Sequence, residues 1–399
     1  MKIGIVGAGP AGLTCAIQLV KQGHEITVFE SSPAKSSQGS GVLLQPIGLA
    51  AMDVVGLKNE VFAIGRRIEA IIGRESINNK IIVDIDYRKL RQESFALGID
   101  RTDLWQLLYD HSRQLGVKII YEINVSAVNR IKLGQLFVID AQSIEYGQFD
   151  LVIDASGAHS SLRKQAVKPS DGKLQAYGSL WTKLPLPPNC LLDRDEMTLY
   201  STLKNEGVGV LPTGLDLSTG QNMATLFFNL RWQEWKPNEF NKWKQQVLRH
   251  WPILEDVLGF LDSPDQLYLA KFKHHTLRKP YGDHLAFIGD SAHASNPQLG
   301  QGINMSLVDA VVLPWALQHS SSNDIQDALY LYAKIRRKHV YVYQTLAKVL
   351  TPFYQSKSSR AIFFRDVFYP LMMQLPLLKE FSAYIISGQL TSPLKKISK

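Results

Sequence analysis

Cysteine is scarce, with only Cys15 and Cys190 in 399 residues. Two cysteines make no disulfide framework, so nothing calls for an oxidising compartment, and Cys15 reads as a small core residue. No run reaches 18 uninterrupted apolar residues, which argues against a transmembrane helix. The start, Met1-Lys2-Ile-Gly-Ile-Val6, has the charge and apolar residues of a signal peptide. Gly7-Ala-Gly-Pro-Ala-Gly12 breaks that run as a turn, so a strand beginning at residue 2 and a cytoplasmic protein are the expectation. No P-loop and no Gly-x-Ser-x-Gly elbow is present. His159, His274, His275 and His284 are scattered without metal-ligand spacing, and no metal is expected. No repeat or low-complexity segment occurs either.

The net charge is +8, but it is unevenly placed. From Leu331 onward twelve Lys and Arg stand against Asp366 and Glu380, a local excess of +10, which leaves −2 for the rest. The high pI therefore belongs to the C-terminal segment and gives no argument for nucleic-acid binding.

Two glycine-rich turns carry the chemistry. Ile3 to Val6 is apolar, Gly7-x-Gly9-x-x-Gly12 follows, and Leu13 to Val20 has helical periodicity. Ile26 to Phe29 then reads as a second strand ending in Glu30. This is a βαβ unit with the dinucleotide fingerprint in context: a glycine for the tight turn, one for close approach of a pyrophosphate, one for helix packing. Glu30 is placed to accept from a ribose hydroxyl. The pattern does not choose between NAD and FAD. Near the other end, Leu285 to Ile288 reads as a buried strand, and Met305 to Leu317 as a helix. Between them Gly289-Asp-Ser-Ala-His-Ala-Ser-Asn-Pro-Gln-Leu-Gly-Gln-Gly-Ile-Asn304 is a loop that aims backbone N–H groups and a helix N-terminus at whatever sits before it. Asp290 could accept from ribityl hydroxyls, and Gly300 and Gly302 leave room for a flat ring.

This loop resembles the second flavin signature of the FAD-dependent (group A) flavoprotein monooxygenases of the para-hydroxybenzoate hydroxylase type. The resemblance implies bound FAD, held by Gly7, Gly9, Pro10, Ala11, Gly12 and Glu30 at the first turn. At the second it implies Asp290 on the ribitol or pyrophosphate, Pro297 beside the isoalloxazine, and the amides of Gly300, Gly302, Ile303 and Asn304 at its N1/O2 edge. Gly39-Ser-Gly41-Val-Leu-Leu-Gln-Pro46 resembles the segment passing the flavin ring. Arg101-Thr-Asp-Leu104 resembles a helix start whose Arg reaches the FAD, and Val125 matches a position whose backbone touches adenine. Leu151 to Arg163 resembles the Asp-Gly landmark, with Gly157 retained and Ser156 where relatives carry Asp. Ile47 stands where Asn is usual and Ser31 where a basic residue is frequent. The missing carboxylate at 156 bears on pyridine-nucleotide binding, and Asp154 reads as a buried strand-end residue rather than its replacement. His293 reads as structural.

The expected fold is α/β: a Rossmann-like FAD-binding domain (1–70, 100–170 and 280–320), an inserted mainly β substrate domain (71–99 and 171–279) and a helical segment (321–399). Ile68 to Ile85 and the run before Gly98 read as strands of the second sheet, and Trp232 to Trp251 as a helix. Trp181, Tyr200, Leu211, Pro212 and Phe227 are candidates for the substrate floor, with a plain core role as the competing reading. Ala361 to Tyr369 and Leu375 to Ile386 are apolar and aromatic amid basic charge. They suit either peripheral membrane contact or helices packed on the flavin domain, and the second is the expectation.

The resemblance implies an NAD(P)H-using monooxygenase, with NAD(P)H as transient co-substrate. Reduced FAD takes O2 to a C4a-hydroperoxide and transfers oxygen to an aromatic or polycyclic apolar small molecule. No catalytic base is assignable. A reductase or dehydrogenase of a lipid-like substrate on the same fold and a non-enzymatic flavin-binding protein remain as alternatives. The Trp-x-Trp-x-Ile-Pro signature of the halogenases is absent.

Overall fold

The computed structural model describes all residues except 34–39, 77–78, 91–93, 131–134, 203–205, 217–218, 323, 356–357, 359, 361–362, 369–374 and 398–399. Gly39, and the ends of the Ala361 to Tyr369 stretch, therefore lie outside the described residues.

The first βαβ unit forms as its periodicity dictates. Strand Lys2–Val6 leads through the glycine turn to helix Pro10–Lys21 and strand Glu25–Phe29. The helix starts with Pro at its first position, where a missing N–H costs nothing, and buries Leu13, Ile17 and Leu19 completely. Burial of each such side chain stabilises by roughly 1.5–3 kcal/mol. The six-stranded sheet around this unit runs Tyr281–Gly282, Leu285–Phe287, Leu151–Asp154, Lys2–Val6, Glu25–Phe29, Lys118–Ile120, parallel except for its first strand. Its register decides where function can sit. Val6 is level with Phe29 and with Asp154, and Asp154 with Phe287. The chain therefore leaves four neighbouring strands at one edge, through Gly7, Glu30, Ala155 and Ile288, the edge at which parallel α/β sheets bind ligands.

A seven-stranded sheet, Tyr268–His274, Lys173–Pro185, Gln221–Arg231, Gly207–Asp216, Glu196–Ser201, Ala70–Glu75, Ile81–Asp86, forms the second layer. Alternation along its strands separates two faces. Leu180, Phe228, Val208 and Tyr200 are cross-strand neighbours on one face, which packs on helix Phe240–His250 and the turns after it. Trp181, Phe227, Gly209 and Leu199 are neighbours on the other. That face meets Leu43, Ile68 and Tyr87.

Two expectations change. Ala96–Asp100 is a strand, but it pairs with Gly41–Leu44 and Arg66–Ile68 in a separate three-stranded sheet. Alternation identifies a strand and says nothing of its partner. Trp232 to Trp251 is helical only over Phe240–His250, preceded by two short 3-10 turns, because Pro237 interrupts the pattern.

The long helix Ile325–Tyr354 lies along Gly302–His319. Helix Pro376–Ile386 folds back onto the large sheet, with Lys379 Nζ 2.5 Å from Asp84 Oδ2, and leaves Leu377 and Phe381 exposed. No helix among the described residues is long and apolar enough to cross a membrane.

Candidate functional site

At the first turn each glycine has a separate reason. Gly7 has φ +103°, and a Cβ there would stand 2.6 Å from the Ala155 carbonyl oxygen. A Cβ on Gly12 would collide with the Gly7 carbonyl. Gly9 faces open space. It is the N-cap of the helix and offers no side-chain cap, so the first amides of that helix are free to face an anion. The turn is braced from outside. Ala8 N donates to Glu30 Oε2 at 2.8 Å, and Trp105 Nε1 donates to the Ala8 carbonyl at 2.8 Å. The second Glu30 oxygen accepts from Ser32 N and from Ser31 Oγ. The serine standing where a basic residue is frequent thus holds the carboxylate in place. Pro10 and Ala11 are buried in the helix start.

Asp154 ends its strand fully buried. Its carboxylate accepts from Ser156 N at 2.9 Å, from Ser156 Oγ at 2.5 Å and from Ser160 Oγ. Burial raises its pKa, opposed by those hydrogen bonds and by Arg163. Asp154 is thus a strand-end residue occupied by its own loop. Gly157, at φ +84°, again faces open space. Val125 begins strand Val125–Arg130, and its carbonyl accepts from Ser161 Oγ at 2.9 Å.

At the second turn Asp290 follows Gly289, whose φ is +64°. Asp290 is exposed to solvent at its surface, yet protein surrounds the carboxyl closely. That desolvation raises its pKa, and His293 and Arg101 pull it down. The structure therefore brings Arg101, at the start of helix Arg101–Gln114, within electrostatic reach of Asp290. Pro297 is exposed, and Gly300 adopts φ +58°. Gly302 opens helix Gly302–His319, faces open space, and is preceded by Gln301 without a side-chain cap. Ile303 is half-buried.

Asn304 is buried, and its side chain is committed to the scaffold. Its Oδ1 accepts from Gln45 N at 2.8 Å, and its Nδ2 donates to the Leu43 and Gly300 carbonyls. Gly41 is likewise a packing glycine. Its N donates to Thr225 Oγ1 at 2.6 Å, and a Cβ would collide with Thr213 of the large sheet.

Of the substrate-floor candidates, Trp181 and Phe227 have ring centroids 5.6 Å apart, and Leu211 lies on the same face. Pro212 is buried, with its carbonyl against Gly98. Tyr200 stands apart from them: strand alternation puts its side chain on the opposite face, against the core of helix Phe240–His250. A cavity of about 340 Å³ lined by Tyr200, Arg74, Arg194 and His250 also opens on that far face, away from the glycine turns.

Sequence reading missed four buried groups. Asp309 accepts from Gly289 N at 2.8 Å, from His293 at 2.5 Å and from Arg336 Nε at 2.5 Å. Arg336 also meets His339 at 2.7 Å. Gln45 stood inside a quoted motif, but only its burial beside Gly300 distinguishes it. His293 is structural, as read. No metal-binding cluster exists among the described residues.

The donor set fits FAD. Two uncapped helix starts, an acidic residue at each turn and three glycines facing open space converge where strands leave the sheet. One buried polar atom without a partner, Gln45 Nε2, stands 3.5 Å from where a Cβ on Gly300 would lie. A family model described as FAD binding domain matches residues 1–344. The chain belongs to this FAD-binding family. Relatives in the FAD-binding family include asperlicin C monooxygenase of Petromyces alliaceus, 24% identical over 368 residues, covering 84% of this chain and 76% of that protein. Kynurenine 3-monooxygenase of Flavobacterium psychrophilum is 25% identical over 359 residues, covering 84% and 76%. Klebsiella pneumoniae HpxO complexed with FAD and uric acid shares the fold, with a TM-score of 0.82 at 18% identity over 99% of this chain and 98% of that one. FAD is the family's cofactor, and the likeness to flavoprotein monooxygenases is borne out.

Proposed function

We propose that this flavoprotein hydroxylates or epoxidises an aromatic or polycyclic, fairly apolar small molecule, using NAD(P)H and O2. In balance, substrate, O2, NAD(P)H and a proton give oxygenated substrate, water and NAD(P)⁺. FAD, when bound, takes hydride from NAD(P)H and activates O2.

The chain's own residues bind and orient. The free amides after Gly9 face the pyrophosphate, and Glu30 accepts from the ribose. Asp290 accepts from the ribitol or pyrophosphate region with Arg101 beside it. The amides at Gly302 and Ile303 stabilise negative charge on the reduced ring. Trp181, Leu211 and Phe227 supply an apolar wall that keeps water from the reacting atoms. The observation that carries this reading is the level register of four strand ends, which gathers Gly7–Gly12, Glu30, Gly157 and Asp290 at one edge.

The test is turnover of a panel of aromatic acids, phenols and polycycles under isotopically labelled O2, with NADH and NADPH supplied separately. One labelled oxygen in product per NAD(P)H oxidised is expected. Reduced product without label would instead favour the reductase. No NAD(P)H oxidation with any substrate would favour a flavin-binding protein without catalysis.

A further inference from the structure

Gln45 precedes helix Pro46–Val55 at its N-cap position but makes no side-chain cap. A glutamine there would ordinarily extend into water, yet this one is completely buried. Its backbone N is fixed by Asn304 Oδ1, and the same asparagine holds the Gly300 carbonyl. Gln45 and the Gly300 turn are therefore one rigid unit. The side-chain oxygen accepts from the Tyr87 hydroxyl at 2.5 Å. Nε2 has neither solvent nor a partner among the described residues. A Cβ on Gly300 would stand 3.5 Å from it, so the N–H₂ lies against the side of the turn where glycine leaves room. Exchanging the amide's O and N would strip the Tyr87 hydroxyl of its acceptor. Burial drives the Tyr87 pKa up, so it remains a donor. The orientation with Nε2 toward Gly300 is the one that satisfies Tyr87.

A buried amide nitrogen without an acceptor is costly, and native proteins rarely keep one without a reason. We infer that the Gln45 carboxamide, held in place by Tyr87 as a positioning residue, donates a hydrogen bond to an acceptor atom of the flavin ring seated against Gly300. The inference rests on the FAD reading of this loop. It adds a specific donor to the backbone amides already described.

The test uses the full chain stripped of FAD and titrated with FAD, with Gln45→Met, Tyr87→Phe and the double variant. Removing both polar atoms of a buried pair is nearly neutral, and here it also removes an unsatisfied nitrogen. The double variant without FAD should therefore melt at or above the wild-type temperature. Its FAD dissociation constant should rise roughly three- to tenfold, the scale of one hydrogen bond. Its flavin midpoint potential should fall, because the reduced ring carries more negative charge and loses a donor. If Gln45→Met fails to fold, Tyr87→Phe carries the test: freeing Oε1 lets the carboxamide rotate, with the same directions and smaller size. Unchanged FAD affinity and potential in variants that fold would overturn the inference. A double variant that melts well below wild type with unchanged FAD affinity would show Gln45 to be merely structural. Failure of the wild-type chain to bind FAD would instead overturn the reading of the loop itself.

Discussion

His293 Nε2 lies 2.5 Å from Asp309 Oδ2, with both side chains almost wholly excluded from solvent. The other Asp309 oxygen takes Arg336 at 2.5 Å, so one carboxylate ties the flavin-signature turn to both long helices. Burial opposes the charge, but Arg336 and His293 outweigh it and hold Asp309 well below the usual carboxylate range. Asp309→Asn leaves a buried guanidinium without its counter-charge. The expected loss is roughly 3–5 kcal/mol, read from urea unfolding. The part-exposed pair Lys379–Asp84 gives the contrast. Asp84→Asn should cost no more than about 1 kcal/mol, and equal losses for the two would refute the assignment.

Acid should destabilise the fold through His339. Its Nδ1 faces Arg336, and its Nε2 donates to the Gly388 carbonyl at 3.0 Å. Only the neutral ring suits both. Burial first, then Arg336, lowers its pKa to about 3. The unfolded chain takes up this proton near pH 6.5, so its stabilising share is present above that value and is lost as pH falls toward 3. At pH 5 the loss is on the order of 2 kcal/mol. His339→Gln keeps an acceptor and a donor without the titration. Its unfolding free energy should fall less steeply between pH 7 and 5, and parallel slopes would exclude His339 as the source.

The parts legible in the sequence were those set by local period and turn chemistry. Gly7–Gly12 and Glu30 announce themselves because strand, turn and helix change period within thirty residues. The Gly289–Asn304 loop does so because its glycines and Asp290 recur in a recognised order. Long-range register was not legible. Whether Tyr200 or Phe227 faces Leu43 and Tyr87 depends on which residue of a neighbouring strand each opposes, and a one-residue slip exchanges the faces. Ala96–Asp100 announced itself as a strand but could not name its partners. The Asp309–Arg336 pair spans two helices, and the buried Gln45–Tyr87 contact joins a helix start to a strand connection. Neither has a signal in spacing.

Gly9 and Gly12 should fail differently when each becomes alanine. A Cβ on Gly12 collides with backbone, so Gly12→Ala should destabilise the FAD-free protein by roughly 1–3 kcal/mol. Gly9 has φ −72°, which alanine adopts, and open space beyond it. Gly9→Ala should keep the fold within about 1 kcal/mol while weakening FAD, because the methyl occupies the approach to the helix amides. Thermal melts and FAD titrations separate the two. A Gly9→Ala protein with native FAD affinity would move the pyrophosphate elsewhere.

Asp290 offers a direct test of the second turn. Asp290 is solvent-exposed, so Asp290→Ala removes no packed core. A hydrogen bond to a charged group contributes about 1.5–3 kcal/mol, or roughly 10- to 150-fold in affinity. The variant should purify with little FAD yet melt like the FAD-free wild type. Full retention of FAD would refute the role given to Asp290.

Asp154 stands two residues before Ser156, the position at which the family resemblance implies an Asp-Gly pair. Asp154 is fully buried and draws in both Ser156 and Ser160. Ser156→Asp would restore the relatives' residue but set a second carboxylate where the Ser156 hydroxyl now stands, 2.5 Å from Asp154. Two such groups cannot both ionise without a large rise in one pKa, so this single variant should be destabilised. Adding Asp154→Ala removes the repulsion, and the pair should recover stability beyond the sum of the two single changes. A coupling of 0.5–3 kcal/mol is the usual range for touching sites. Urea unfolding of the four proteins completes the cycle, and simple additivity would show that the two positions do not interact. If the relatives' carboxylate serves nicotinamide, the double variant should also reduce FAD faster at low NAD(P)H, whereas an unchanged rate would mean that Ser156 performs the same task.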